Sequence, residues 1–360
     1  MRGRGEARRS GSGRTLGALA AIAIVALAAS ACGRGGAPSP AASGSVQAGS
    51  RSSAPAELVV ELDWVPNPDH VGLYYAQDKG YFAEEGLTVE FHSPSNAADP
   101  IKLVGLNRVD LAISYEPEMF YAQQNDLPIT AVATVVPVPL NSMIVAPDAS
   151  VTQLADMAGK SVGVTGVPSD DAFYLTMLKT AGLSETDVTK VDVGFNLVPS
   201  LLAGKVDAII GGYRNVEAIQ VERESGTEPT VFPADELGVP TYSELVVVAN
   251  SERLRDDGAF ADAVRRFVAA LVRGTDGAIG DPAAATAIMK RVTQYSPGFL
   301  DESVPDTLGL LKPAPGSRTG CIDASAWQSY GSWMRSNELI TSMPDAPEIA
   351  TNRYLPYSCP

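Results

Sequence analysis

Histidine and cysteine are scarce in this 360-residue chain: two histidines, His70 and His92, and three cysteines, Cys32, Cys321 and Cys359. No histidine cluster exists, and the cysteine spacings do not fit a zinc site, which gathers about four nitrogen or sulfur ligands. Positive charge is also in deficit. Lys and Arg total 27 against 42 Asp and Glu, a formal net charge of −15. With no basic stripe interleaved with aromatics, a nucleic-acid partner is excluded. The first 56 residues hold one long apolar run, residues 16–31. It is short for a membrane span and follows arginines at 2, 4, 8, 9 and 14, the layout of a secretory signal.

That run ends in Ala29-Ser30-Ala31-Cys32-Gly33. Small residues before a Cys resemble a bacterial lipobox, although Ala29 stands where Leu is usual. The resemblance implies a signal peptide over 1–31, a lipid on Cys32 and an extracytoplasmic chain anchored to the cell membrane. Residues 32–56 are almost all Gly, Ser, Ala and Pro, too polar and too small to bury a core, so they read as a flexible tether. The five arginines and one glutamate of residues 1–31 contribute +4, so the remainder carries −19. In an exported chain Cys321 and Cys359 are expected to pair and tie the C-terminal tail, 341–360, to the body.

From residue 58 the pattern alternates strand and helix, an α/β chain. The stretch 61–75 is a short strand, a Pro-broken loop and a helix start. It gathers Asp63, Trp64, Asn67, Asp69 and His70 at a strand end, where open α/β sheets hold ligands. The same residues also suit a bland role as helix caps and packing. Residues 101–113 and 198–210 match each other: a helix, a Val-Asp pair and a short apolar strand in each. The loops 66–69 and 168–171 match likewise. Two lobes of one architecture are therefore expected, each presenting polar strand ends to a shared cleft. The spacing predicts lobe 1 from 57–146 plus 248–340 and lobe 2 from 147–247, with crossings near Ala146 and Val248.

On the runs Leu62-Asp-Trp-Val-Pro-Asn-Pro-Asp-His-Val-Gly-Leu-Tyr74, Lys79-Gly-Tyr-Phe-Ala-Glu-Glu-Gly-Leu87, Ala112-Ile-Ser-Tyr-Glu-Pro-Glu118, Pro139-Leu-Asn-Ser142, Gly166-Val-Pro-Ser-Asp-Asp-Ala172 and Gly212-Tyr-Arg-Asn-Val-Glu217, the chain resembles the solute-binding proteins of ABC importers. The implied fold is the type II periplasmic-binding fold, over about residues 57–340. More narrowly it is similar to the family that binds pyrimidine precursors of thiamine. The resemblance implies a hydroxymethyl- or formylaminomethyl-aminopyrimidine ligand, a membrane permease and an ATPase as partners, a monomer, and no cofactor. Trp64, Tyr115 and Tyr213 offer stacking faces or hydroxyls, and Glu217 an acceptor for the ring NH2. Asn67, His70 and Asn215 offer donors, and Ser169 sits at a helix start.

Two other readings share these residues. One is a receptor on the same fold for riboflavin or an alkanesulfonate; Glu217 argues against an anion. The other is an enzyme, because a eukaryotic branch of this family resembles a pyrimidine synthase that consumes its own His and pyridoxal phosphate. That branch depends on a Cys-rich run and a Lys, whereas no Cys lies between Cys32 and Cys321 and no Lys precedes His70 in its loop. The expectation is therefore a binding protein rather than an enzyme. Arg214 stands where an aromatic residue is expected. It either points out of the cleft or recognises an anionic group on an unusual ligand.

Overall fold

The computed structural model describes residues 55–344 and 349–360; the signal segment, Cys32 and nearly all of the tether lie outside them. Ten strands are present among the described residues: β1 (Ala56–Glu61), β2 (Leu87–His92), β3 (Leu111–Ser114), β4 (Ile129–Val136), β5 (Asn141–Val145), β6 (Ser161–Val164), β7 (Thr189–Asp192), β8 (Ala208–Tyr213), β9 (Thr230–Pro233) and β10 (Leu245–Asn250). The helices are α1 (Val71–Asp78), α2 (Tyr81–Glu84), α3 (Pro100–Gly105), α4 (Glu116–Gln124), α5 (Pro168–Thr180), α6 (Leu197–Leu202), α7 (Glu217–Ser225), α8 (Ser251–Asp256), α9 (Gly258–Gly280), α10 (Pro282–Val292), α11 (Pro297–Leu310) and α12 (Ala324–Ser336).

The strands form two five-stranded sheets, ordered β2-β1-β3-β10-β4 and β7-β6-β8-β5-β9. The two orders are the same once β6, β7, β8, β5 and β9 are set against β1, β2, β3, β10 and β4. In each sheet four strands run one way and the strand that enters from the other half runs antiparallel to them. The matched sequence units become α3–β3 and α6–β8, so the repeat seen in residues 101–113 and 198–210 is a structural repeat. The chain leaves the first sheet after Val136 and joins the second at Asn141, earlier than the crossing expected near Ala146. The reason is local: residues 137–140 are Pro-Val-Pro-Leu, and Pro interrupts strand pairing. The return lies between Pro233 and Leu245.

Burial explains the composition of the central strands. Every residue of β4, β5 and β10 is buried, and β4 and β10 accordingly read as Val- and Ala-rich runs rather than alternating ones. α9 begins where the Asp257 side chain accepts from the backbone N–H groups of Ala259 and Phe260. It then buries Phe260, Val264, Phe267 and Leu271, one stripe at helical spacing. α9 crosses α1 at glycines. A Cβ on Gly274 would lie 2.3 Å from the Gly72 carbonyl oxygen, and one on Gly277 would lie 2.6 Å from the Tyr75 ring. Gly274→Ala is expected to destabilise the protein by roughly 1–3 kcal/mol through overpacking, read as a lower urea midpoint; an unchanged midpoint would mean that the helices part freely. Near the C terminus Thr351 N–H donates to the Ala131 carbonyl, and Cys321 and Cys359 are disulfide-bonded.

Candidate functional site

The parallel strands of both sheets point their carboxyl ends at one narrow slot. β1 leads to Asp63, Trp64 and Asn67, and β3 to Tyr115. β6 leads to Thr165, Ser169 and Asp170, and β8 contributes Gly211 and Tyr213 before Glu217 opens α7. The two crossings add Asn141, at the start of β5, and Glu244, just before β10. The free volume of the slot is about 20 Å³, space for little more than one water-sized centre. Trp64 closes one end, with its ring 4.4 Å from Phe195 of the facing half, edge to face at 70°.

Local chemistry dictates how the first wall is built. Asn67, between two prolines, caps the short 3-10 turn Pro68–His70; its side chain accepts from Asp69 N–H, and its own N–H donates to His70 Nδ1 at 3.2 Å. That bond fixes the tautomer: Nδ1 is the acceptor, so Nε2 carries the proton and donates to Asp63 Oδ1 at 2.8 Å. Tyr115 Oη donates to the other oxygen, Asp63 Oδ2, at 3.2 Å. Asp63 is thereby held at the slot wall by one bond to each oxygen.

The second wall is also a hydrogen-bond lattice. Asn141 Nδ2 donates to Asp170 Oδ1 at 2.7 Å, while Asn141 Oδ1 accepts from Gly211 N–H at 3.1 Å. Thr165 Oγ1 donates to Asp170 Oδ2. Gly211 is obligatory: its φ is +87°, and a Cβ there would stand 2.5 Å from the Asp170 carboxylate. Glu217 Oε2 accepts from Tyr213 N–H at 2.7 Å. Glu244 Oε2 accepts from the N–H groups of Leu140 and Asn141 and from Tyr242 Oη, which ties the two crossings together. Glu118 Oε1 accepts from Ser169 N–H at 2.9 Å, joining α4 to α5 across the slot. Asn215 Nδ2 donates to Asp69 Oδ1 and to Thr307 of α11, both at 2.8 Å. The two halves are thus closed on the slot by their own bonds.

Electrostatically the slot is acidic. Asp63, Asp170, Glu217 and Glu244 line it, and no Lys or Arg does among the described residues. Burial pushes Glu217 up to about 7 against the opposing Tyr213 N–H, and Glu244 up to about 7 against three donors. Behind the wall, burial raises Asp69 to about 7 and Glu118 to about 7. Asp170 rises to about 6 for the same reason. Such a lining favours a ligand with N–H donors or positive charge and disfavours an anion. Among the described residues no group of three or more His, Cys, Asp or Glu side chains is placed to hold a metal ion.

Of the residues singled out in the sequence, Trp64, Asn67, Tyr115, Ser169, Tyr213 and Glu217 meet in the slot. His70 and Asn215 do not line it; they are buried behind it as struts for Asp63 and Asp69. Sequence reasoning passed over Asn141, Thr165, Gly211 and Glu244. Asn141 lies in the singled-out run 139–142, whereas the only signal for Glu244 is a lone carboxylate ahead of the apolar strand β10. Arg214 leaves the slot and stands 3.9 Å from Asp235, about a third exposed. Arg214→Ala is therefore expected to leave ligand affinity within about twofold, under 0.5 kcal/mol, by calorimetric titration; a large loss would return Arg214 to the site.

Two lobes with matching sheets and a slot between their strand ends define the class of periplasmic-binding-protein folds. The alkanesulfonate-binding protein SsuA of Xanthomonas axonopodis pv. citri, solved bound to MOPS, superposes with a TM-score of 0.64 at 17% identity, over 83% of this chain and 100% of that one. The chain belongs to the NMT1/THI5 like family, which it matches over residues 67–285. It is 32% identical to a formylaminopyrimidine-binding protein of Halalkalibacterium halodurans, over 82% of this chain and 88% of that protein. It is also 28% identical to a 4-amino-5-hydroxymethyl-2-methylpyrimidine phosphate synthase of Saccharomyces cerevisiae, over 62% and 67% of the two chains.

Proposed function

We propose that this chain is the extracytoplasmic substrate-binding component of an ABC importer, and that its slot holds a thiamine-precursor aminopyrimidine with a hydroxymethyl or formylaminomethyl arm. The observation that carries the reading is the slot itself: thin, walled by Trp64, Tyr115 and Tyr213, and lined by carboxylates without a cation. A pyrimidine ring stacks on the indole. Its exocyclic NH2 donates to Glu217 or Asp170, and Asn67, whose Oδ1 is taken by Asp69 N–H, donates from its amide NH2 to a ring nitrogen. A ring enters when the halves part and is enclosed when they close, the hinge motion of such folds. Partners in this reading are a permease and an ATPase. Cys32 carries a lipid that anchors the monomeric receptor to the membrane through the tether.

The role is binding and needs no cofactor. His70 is turned away from the slot and committed to Asp63, which supports a receptor over a synthase that uses its own histidine. Calorimetric titration of the full chain with hydroxymethyl- and formylaminomethyl-aminopyrimidine, riboflavin and taurine tests the proposal. Micromolar or tighter binding of one pyrimidine, about −8 kcal/mol or better, is expected, with no heat from taurine or riboflavin. Binding of taurine or riboflavin without a pyrimidine would discard the ligand assignment.

A further inference from the structure

A second cavity opens directly outside the slot. Its free volume is about 540 Å³, against about 20 Å³ for the slot. Trp64 and Glu217 line both spaces, so they form the neck between them. The outer chamber is walled by aromatic and aliphatic groups from both halves, with Phe195, Leu197 and Val198 facing Trp64, and Tyr295, just after α10, on a third side. Its one charged lining residue is Glu217. The single basic residue of α7, Arg223, is engaged with Glu302 at 2.8 Å and does not line the chamber.

Trp64, Phe195 and Tyr295 line the chamber together with one carboxylate, a setting that suits a cation. Ring quadrupoles attract positive charge, and the buried Glu217 carboxylate lacks a cationic partner among the residues lining either space. A carboxylate has roughly four acceptor positions. The Tyr213 N–H and the residue's own N–H use two, which leaves Glu217 able to serve ring and substituent together. The closed slot has space for little more than one water-sized centre, so any bulky substituent on the ring must pass the neck.

We propose that the outer chamber receives a positively charged, aromatic arm of a ligand whose aminopyrimidine ring occupies the slot. The inference rests on the functional reading above and extends it from small precursors to two-ring aminopyrimidine cations. The neck places the link between the rings beside Glu217 and lays the second ring among Trp64, Phe195 and Tyr295.

The test is calorimetric titration of the full chain with two probes: 4-amino-5-hydroxymethyl-2-methylpyrimidine, which has no arm, and thiamine, which carries a thiazolium arm. Thiamine is expected to bind about tenfold more tightly, the scale of one cation–π contact. Tyr295 lines the chamber and not the slot, so Tyr295→Ala separates the two. It should remove most of that advantage while holding the affinity for the one-ring probe within about twofold, which also shows that the variant is folded. Equal or tighter binding of the one-ring probe to the unaltered chain overturns the inference and leaves the precursor reading intact. Equal loss of both probes in Tyr295→Ala overturns it too, because the residue then acts on the slot as a whole. If neither probe binds, both proposals fall.

Discussion

Replacing Trp64 by Ala should weaken pyrimidine binding by about 100-fold. Stacking of a base-sized ring on an aromatic side chain contributes roughly 1–3 kcal/mol by alanine substitution, and each 1.4 kcal/mol is about tenfold. Trp64 stands at the upper end of that range because the truncation removes two contacts: the stacking face, and the edge-to-face pair with Phe195 that forms when the halves meet. Closure is then less favourable as well as the bound state. Trp64 is only half-buried in a loop, so thermal stability without ligand should change little. Trp64→Phe keeps a face and should recover most of the affinity. If Trp64→Ala bound pyrimidine as the unaltered chain does, the slot would not be the binding site.

Stability without ligand should fall as pH rises from about 5 to about 8. Six buried carboxylates titrate above their ordinary range because desolvation disfavours their charged form: Glu116 near 8, Asp69, Glu118, Glu217 and Glu244 near 7, and Asp170 near 6. Between the ordinary values of 3.8 to 4.5 and these raised ones the fold holds more protons than the unfolded chain. Stability then declines with pH, by roughly 1.4 kcal/mol per pH unit for each extra proton held. Below this window the sign reverses. Backbone N–H groups and Gln153 lower Asp156 to about 2, and Asp187 and Asp323 are lowered by their own caps, so acid removes those bonds. A maximum near pH 5 is expected in a series of melting curves. A melting temperature that climbs steadily from pH 5 to pH 8 would show that these carboxylates are charged and compensated in the fold.

What could be read from the sequence divides along the range of the interactions. The repeat of helix, Val-Asp and strand was legible because periodicity is local; α3–β3 and α6–β8 each fit within about 15 residues. Trp64, Asn67, Tyr115, Tyr213 and Glu217 were legible because each sits at or just beyond the end of a strand. Glu244 was not. Its partners Leu140 and Asn141 lie more than 100 positions away, and only the crossing of the two chain segments brings them together. His70 and Asn215 show the opposite error. Their neighbours in sequence reach the slot, but the capping turn rotates His70 onto Asp63, and Asp69 draws Asn215 into the seam. Residue type at a strand end announces a polar site without giving the direction in which each side chain points.

The bonds that close the two halves, Glu118 to Ser169 and Asn215 to Asp69 and Thr307, belong to the protein alone. In the proposed role, a receptor able to shut without cargo risks presenting itself to a permease unloaded and driving idle ATP turnover. The acidic slot opposes this, since shutting it unloaded strands several carboxylates away from water with no positive charge to answer them. A ligand with an amino group or a positive charge, as proposed above, would relieve that penalty. The same groups that choose the ligand therefore hold down the unloaded closed population. Affinity is reduced by that reluctance to shut, and in return a closed receptor becomes a trustworthy report that something is inside.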